Sequence, residues 1–314
     1  MSVVAAPGRI AVLTPTRSFT GWGSTYPTLN TDPAGRSGLR QIASGWFHNL
    51  LLTSNGSIAA WAHTNAFGEG DVPPAFTNGN VQAVAAGFRY SVALTGAGSV
   101  VAWGDNSAGQ TNVPPGLTNV QAIAAGYAHV VALANDGTVT AWGLNDAGQT
   151  NVPPGLRGVK AIAAGDHHTL ALTTNGTVVA WGGNAHGQST VPPGLFGVQA
   201  ISAGSLHSVA LLDDGRLVFW GTNALGQMTV PDRINLVRTV SAASQVTAAI
   251  YSEHVPMAFG PVPSGSVTSK LFTVYNDGTG PLAITHIDLR DFDAEVFALD
   301  TGATATVIQP GGST

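Results

Sequence analysis

Residues 121–156 read QAIAAGYAHVVALANDGTVTAWGLNDAGQTNVPPGL, and residues 160–195 repeat them as KAIAAGDHHTLALTTNGTVVAWGGNAHGQSTVPPGL, 39 residues later. Working outward, Trp-Gly recurs at Trp22, Trp103, Trp142, Trp181 and Trp220, with Trp61-Ala62 as a variant. Gly45, Gly87, Gly126, Gly165 and Gly204 each stand 16 residues before the next such Trp. Two eroded copies extend the phase: Val3–Leu13, with Ala6 at the glycine position, and Val240–Gly260, with Ala243 and Phe259 at the glycine and Trp positions. The chain thus holds seven units.

Within a unit, apolar and small residues alternate in short runs bounded by turn residues, the pattern of strands and not of helices. Ala-Ile-Ala-Ala reads as a first strand, His-x-x-Ala-Leu as a second, Thr-Val-x-Ala-Trp as a third, and a weaker Gln-x-x-Val as a fourth. Asn55-Gly56, Asp136-Gly137, Asn175-Gly176 and Asp214-Gly215 separate the second from the third. Such pairs predict a two-residue primed hairpin turn with positive φ at both central residues. Pro-Pro after the fourth run suits an outer edge, where a missing donor costs no ladder bond. A four-stranded unit of this length, repeated seven times, predicts an all-β chain folded as a seven-bladed β-propeller over residues 1–260.

The pattern AGxxHxxAL followed by WGxNxxGQ resembles the repeat of the regulator of chromosome condensation family. The Val-Pro-Pro-Gly ending is most similar to the bacterial branch that includes β-lactamase inhibitor protein II. The resemblance covers about Val3 to Gly260 and implies the seven-bladed fold. It implies no single function, since the family includes nucleotide exchange factors, inhibitors and surface proteins.

From about Gly260 the period is lost. Pro261–Ser266 reads as a linker, and LFTVYNDGTGPLAITHIDL follows with a turn at Asn276–Gly280. This resembles the opening strands of an immunoglobulin-like β-sandwich, expected over residues 261–314. A sandwich needs about 100 residues, so the sequence is expected to be part of a longer protein.

Composition narrows the function classes. Charged residues are only 9% of 314, the net charge is −5, and no basic stripe is present to neutralise phosphates, which argues against nucleic acid. No apolar run approaches the roughly 18 residues of a membrane helix. With no cysteine, disulfides and thiolate metal sites are excluded. No nucleophile elbow, phosphate loop or His-Glu-x-x-His occurs, and Asp166-His167-His168 is the one dense titratable cluster. Neighbours on a strand point to opposite faces, so joint metal coordination is not expected there. His48, His129, His168 and His207 fall once per unit, three residues after the repeat glycine. They read as scaffold, bonding backbone between strands. No cofactor or metal and no catalytic residue is expected.

The informative positions vary while the scaffold repeats. Antiparallel parity puts two loops of every unit on one rim: the loop after the repeat glycine and the loop after Trp-Gly. The first carries Trp46, Phe47, Phe88, Arg89, Tyr127, Asp166, His167 and Leu206; the second carries Asp105, Ser107, Leu144, Asp146, His186 and Leu225. Aromatics and Arg on an exposed rim are typical interface anchors. Trp46, the one Trp outside the scaffold phase, stands first among them, unless it plugs the channel mouth. The expectation is a monomeric, non-enzymatic module, secreted or displayed on a bacterial cell surface, binding protein or glycan through this rim. The alternatives are a guanine nucleotide exchange factor or other intracellular regulator, and a propeller-based lyase or hydrolase that would need Asp105, Asp146, Asp166 and His167 to converge.

Overall fold

In the computed structural model, the described residues are 2–251 except 8, 15–16, 24–25, 33, 225, 230–236 and 244–245, together with 282–283 and 307–308. The chain divides into two compact units, Met1–Glu253 and His254–Thr314. In the second unit the described residues are two antiparallel strands, Leu282–Ala283 and Val307–Ile308. The expected immunoglobulin-like sandwich otherwise lies outside the described residues.

The first unit is a succession of antiparallel sheets, each ordered as the chain runs. The fourth is representative: Val120–Ala125, His129–Ala134 and Val139–Gly143. Before it come sheets starting at Ser2, Leu39 and Val81; after it come sheets starting at Val159 and Val198. A two-stranded sheet, Val237–Ala243 with Val246–Tyr251, ends the series. This last sheet meets the first: the Ala5 N–H donates to Ser241 Oγ at 3.0 Å, and Val3, Ala5 and Ala248 share one buried cluster. It also meets the sixth, where the Ala242 N–H donates to Ser202 Oγ. The sheets therefore close into a ring, a β-propeller.

The core lies between neighbouring sheets. Tyr90, Val92 and Leu94 of the third pack against Val120, Val130, Ala132 and Trp142 of the fourth. The same arrangement joins Val131, Leu133 and Val139 to Ala171 and Trp181. Each middle strand is buried on both faces, which is why its run is nearly continuously apolar and does not alternate.

Two expectations are corrected. Gln-x-x-Val forms no fourth strand in the described units: Gln110–Thr111 lies in a turn, and Asn112–Val113 belongs to no strand. Its polar groups are satisfied locally and leave no ladder to build. Gln110 Oε1 accepts the Ala108 N–H, Asn106 Oδ1 accepts the Thr111 N–H, and Pro114-Pro115 supplies no donor. Val113 and Leu117 nevertheless pack against the sheet cluster. Six of the described sheets are three-stranded, and after the third a packed loop takes the place of the expected fourth strand.

The second correction concerns the hairpins. In Asn135-Asp136-Gly137 only the glycine has positive φ, at 81°, and the same holds for Gly56, Gly176 and Gly215 at their turns. The Ala134 N–H donates to Thr138 O while the Gly137 N–H donates to Ala134 O. This is a three-residue loop closed by a glycine bulge and not a two-residue primed turn. The acidic residue stays in an ordinary conformation and accepts the Thr138 N–H with its carboxylate.

Candidate binding rim

The repeat glycine sits where one blade touches the next. A Cβ on Gly126 would strike the His129 ring and the Gly165 carbonyl; one on Gly87 would strike the Tyr90 ring and the Gly126 carbonyl. Neither glycine has positive φ, so space and not backbone conformation selects the residue. Across this contact the loops bond directly: the Phe88 N–H donates to Tyr127 O at 3.1 Å, and the Trp46 N–H to Gly87 O at 3.4 Å. The loop after each third strand is tied to the same end. The N–H groups of His63, Asp105, Leu144, Gly183 and Thr222 donate to the carbonyls of Phe47, Arg89, Ala128, His167 and Leu206. The two variable loops of each described blade therefore share one rim, as parity requires.

The repeated histidines are blade-to-blade latches. Their Nε2 atoms lie 2.8–3.1 Å from a hydroxyl on the following sheet: His48 to Ser91, His129 to Thr169, His168 to Ser208 and His207 to Thr247. The bond is to a side chain, not to backbone as the sequence suggests. The hydroxyls of Ser91, Thr169 and Ser208 in turn donate to the carbonyls of Glu69, Gln149 and Gln188. Those hydroxyls accept from Nε2–H, and the Nδ1 of each ring is buried with no partner to stabilise a second proton. Burial pushes His48 and His168 down to about 3 and His129 and His207 down to about 4. The glycine-plus-three position holds Arg9 in the first unit, Tyr90 in the third and Val246 in the last. Arg9 donates to Gly45 O, His48 O and Asn49 Oδ1, with its pKa lowered to about 10 by burial. The Tyr90 hydroxyl reaches His129 O at 2.6 Å, because the next sheet offers Val130 and no side-chain hydroxyl. Trp103, Trp142, Trp181 and Trp220 donate from Nε1 to the carbonyls of Glu69, Gln110, Gln149 and Gln188. These residues build the ring and are spent on it.

On the rim, seven of the expected residues meet. Phe88 is the hub: it stacks on Tyr127 at 4.4 Å, and meets Trp46 at 5.3 Å and Phe47 at 5.4 Å edge to face. Tyr127 stacks in turn on His167 at 5.8 Å, whose Nδ1 is 3.4 Å from Asp146 Oδ1. The Arg89 guanidinium lies over Phe47, Phe67 and Phe88 at 4.9–5.2 Å. Trp46, Phe47, Phe88, Tyr127 and His167 are half-buried, and Phe67 is 44% exposed. Trp46 also lines the small central cavity with Gly45, Gly87, Gly126 and Asp166, so it is at once a mouth residue and a member of the cluster.

The other expected residues do not join. Asp105 bonds its own loop, accepting from the Ser107 N–H and the Gln110 Nε2. Asp166 turns toward the cavity, where burial raises its carboxyl above the usual range. His186 is exposed, its N–H bonded to Gln188 Oε1; Leu144 and Leu206 are half-buried in their loops. Leu225 lies outside the described residues. Asp105, Asp146, Asp166 and His167 thus form no common centre, and no cluster of three metal-ligating side chains occurs among the described residues. Nor is any described helix long and apolar enough to cross a membrane.

Three members escaped sequence reading: Tyr26, His63 and Phe67. Tyr26 meets Phe47 at 5.3 Å and His63 at 4.6 Å, extending the stripe toward the first sheet. Phe67 precedes Gly68-Glu69 as His186 precedes Gly187-Gln188, but one extra residue after Trp61 hides the correspondence.

A ring of short antiparallel sheets with variable loops gathered on one rim defines a propeller-type scaffold. Residues 81–110, 120–149, 159–188 and 198–227 match the regulator of chromosome condensation (RCC1) repeat. Solved structures agree on the fold. Prp20p of Saccharomyces cerevisiae superposes with a TM-score of 0.67 at 21% identity, over 81% of this chain and 83% of that one. Human WBSCR16 gives 0.66 at 20%, over 80% and 87%. The CRINKLY ectodomain of the Arabidopsis thaliana receptor kinase ACR4 gives 0.63 at 20%, over 80% and 93%. No curated protein sequence matches this one.

Proposed function

We propose that this chain is a non-enzymatic binding module that captures a protein through the aromatic rim. The observation that carries the reading is the unbroken run of ring contacts from His63 through Tyr26, Phe47, Phe88 and Tyr127 to His167, on loops of successive blades. Large rigid side chains gathered at one surface, with an Arg among them, have the composition of interface hot spots. A glycan is the weaker ligand class. Sugars stack on open ring faces, and here Phe88, Tyr127 and His167 cover one another's faces.

In this reading the two-stranded sheet counts as the seventh blade, residues 261–314 open an immunoglobulin-like domain, and the module works as a monomer outside the cell or on its surface. The bacterial branch of the repeat family is its proposed origin. A second reading is an exchange factor or regulator: the structure of Prp20p is described with its binding to Gsp1p and histones, both proteins. Prp20p supports protein capture in general.

The test is a capture comparison with the full chain and the triple variant Trp46→Ala, Phe88→Ala, Tyr127→Ala. Proteins of the source organism retained by the first and lost by the second, at equal thermal stability, are the expected result. An identical retained set would overturn the rim assignment.

A further inference from the structure

We infer that Arg89 is a docking point for a carboxylate, and that the partner presents it as an Asp or Glu on an extended, partly apolar segment. The inference rests on the rim being the binding face. The Arg89 guanidinium carbon lies 4.9–5.2 Å from the centroids of three rings, and such cation–π contacts satisfy none of its N–H donors. Those donors match a carboxylate bidentately. Among the described residues Arg89 takes part in no ion pair and its side chain in no hydrogen bond.

The carboxylates of the adjoining loops form no ion pair with it. Glu69 Oε2 accepts the Phe67 N–H at 3.0 Å while its buried Oε1 has no hydrogen-bond partner, and Asp105 holds Ser107 and Gln110 of its own loop. A half-buried, aromatic-backed cation without a counter-ion is complementary to an acidic group from outside. The exposed ring of Phe67 beside it calls for apolar cover, which a free anion does not bring. At the His167 end of the stripe stands Asp146, its carboxyl held below the usual range by the Gln149 amide. Arg89 beside the middle of the stripe therefore attracts an acidic residue and Asp146 repels it, which favours one direction for a bound segment.

The test uses random linear peptides displayed on phage and selected on the full chain, with sulfated oligosaccharides on an array as the competing class. The expected peptides place Asp or Glu beside an apolar residue and lose binding to Trp46→Ala. Their affinity falls at least about tenfold with Arg89→Gln, and a Glu→Gln or Asp→Asn peptide shows the same loss on the wild-type chain with no further loss on the variant. Thermal melting of Arg89→Gln at the wild-type temperature keeps the comparison free of folding effects. Trp46-dependent peptides without acidic enrichment, or Arg89-dependent capture of sulfated sugars alone, would overturn the carboxylate while leaving a binding rim. Peptides insensitive to every rim substitution would overturn both readings.

Discussion

The Nε2 of His168 lies 2.9 Å from Ser208 Oγ on the next sheet, and that hydroxyl donates in turn to Gln188 O. The chain of bonds joins three segments across a blade boundary; its polarity puts a proton on Nε2, and the buried Nδ1 has no partner to stabilise a second one. His48 and His129 repeat the arrangement, and His207 meets Thr247 in the same way.

Acid should therefore loosen the ring. Each histidine has a folded pKa near 3 or 4, below its ordinary 6.5, so protonation favours the unfolded chain. The stability is complete above about pH 6.5 and is lost as the pH falls from there toward 4, at up to roughly 1.4 kcal/mol per unit per histidine. Asp136, Asp146 and Asp214, all lowered from 3.8, withdraw stability only under more acid conditions. Asp166, raised by burial, acts in the opposite direction. Calorimetry should show a melting temperature flat above pH 7 and falling steadily between pH 6.5 and 4.5. A level profile across that interval would contradict the neutral latches.

Removing a latch hydroxyl should cost a definite amount. In Tyr90→Phe the ring still fills the blade interface, but the carbonyls of Gly126 and His129 lose a buried donor. The expected loss is about 1–3 kcal/mol, read from urea unfolding at unchanged m-value. A change below 0.5 kcal/mol, by the same order of reckoning, would mean that packing alone holds this boundary.

Two glycines of different purpose should separate in the same assay. Gly126→Ala drives a methyl into the His129 ring and the Gly165 carbonyl, so the chain should fail to fold or lose several kcal/mol. Gly155→Ala meets nothing within 4 Å and pays only for φ at +82°, about 1 kcal/mol. Equal effects would refute the account of the repeat glycine as a spacer.

The repeat made the blades legible because its marks are the contacts that close the ring: the glycine, the histidine and the Trp. What escaped were substitutions that keep a role while changing chemistry. Arg9 and Tyr90 occupy the histidine position and latch to the next blade by different bonds. Nothing local in Gln-x-x-Val reveals that the Gln side chain turns back onto its own loop and replaces a strand. The hairpin type is not legible in the sequence because Asp-Gly suits both turns, and only the φ of the first member tells them apart. On the rim, loop phase located Trp46, Phe47, Phe88, Arg89 and Tyr127 together. The neighbours supplied by irregular loops, Tyr26 and Phe67, carry no phase to read.

The two exposed phenylalanines provide the last test of the rim. Phe67 is 44% exposed and covers one side of Arg89; Phe196 is 79% exposed on the opposite end of its blade, after Pro192-Pro193. A single exposed ring is ordinary on a protein surface, and neither contributes much to folding where it faces water. Phe67→Ser and Phe196→Ser should both melt within a few degrees of the wild-type chain. Only Phe67→Ser should weaken peptides selected on the rim, because it removes apolar cover and loosens the guanidinium that it backs. The loss should appear as faster dissociation with little change in association rate, since the ring carries no charge to steer encounter. If Phe196→Ser weakens the same peptides by as much as Phe67→Ser does, the binding surface lies at the other end of the propeller.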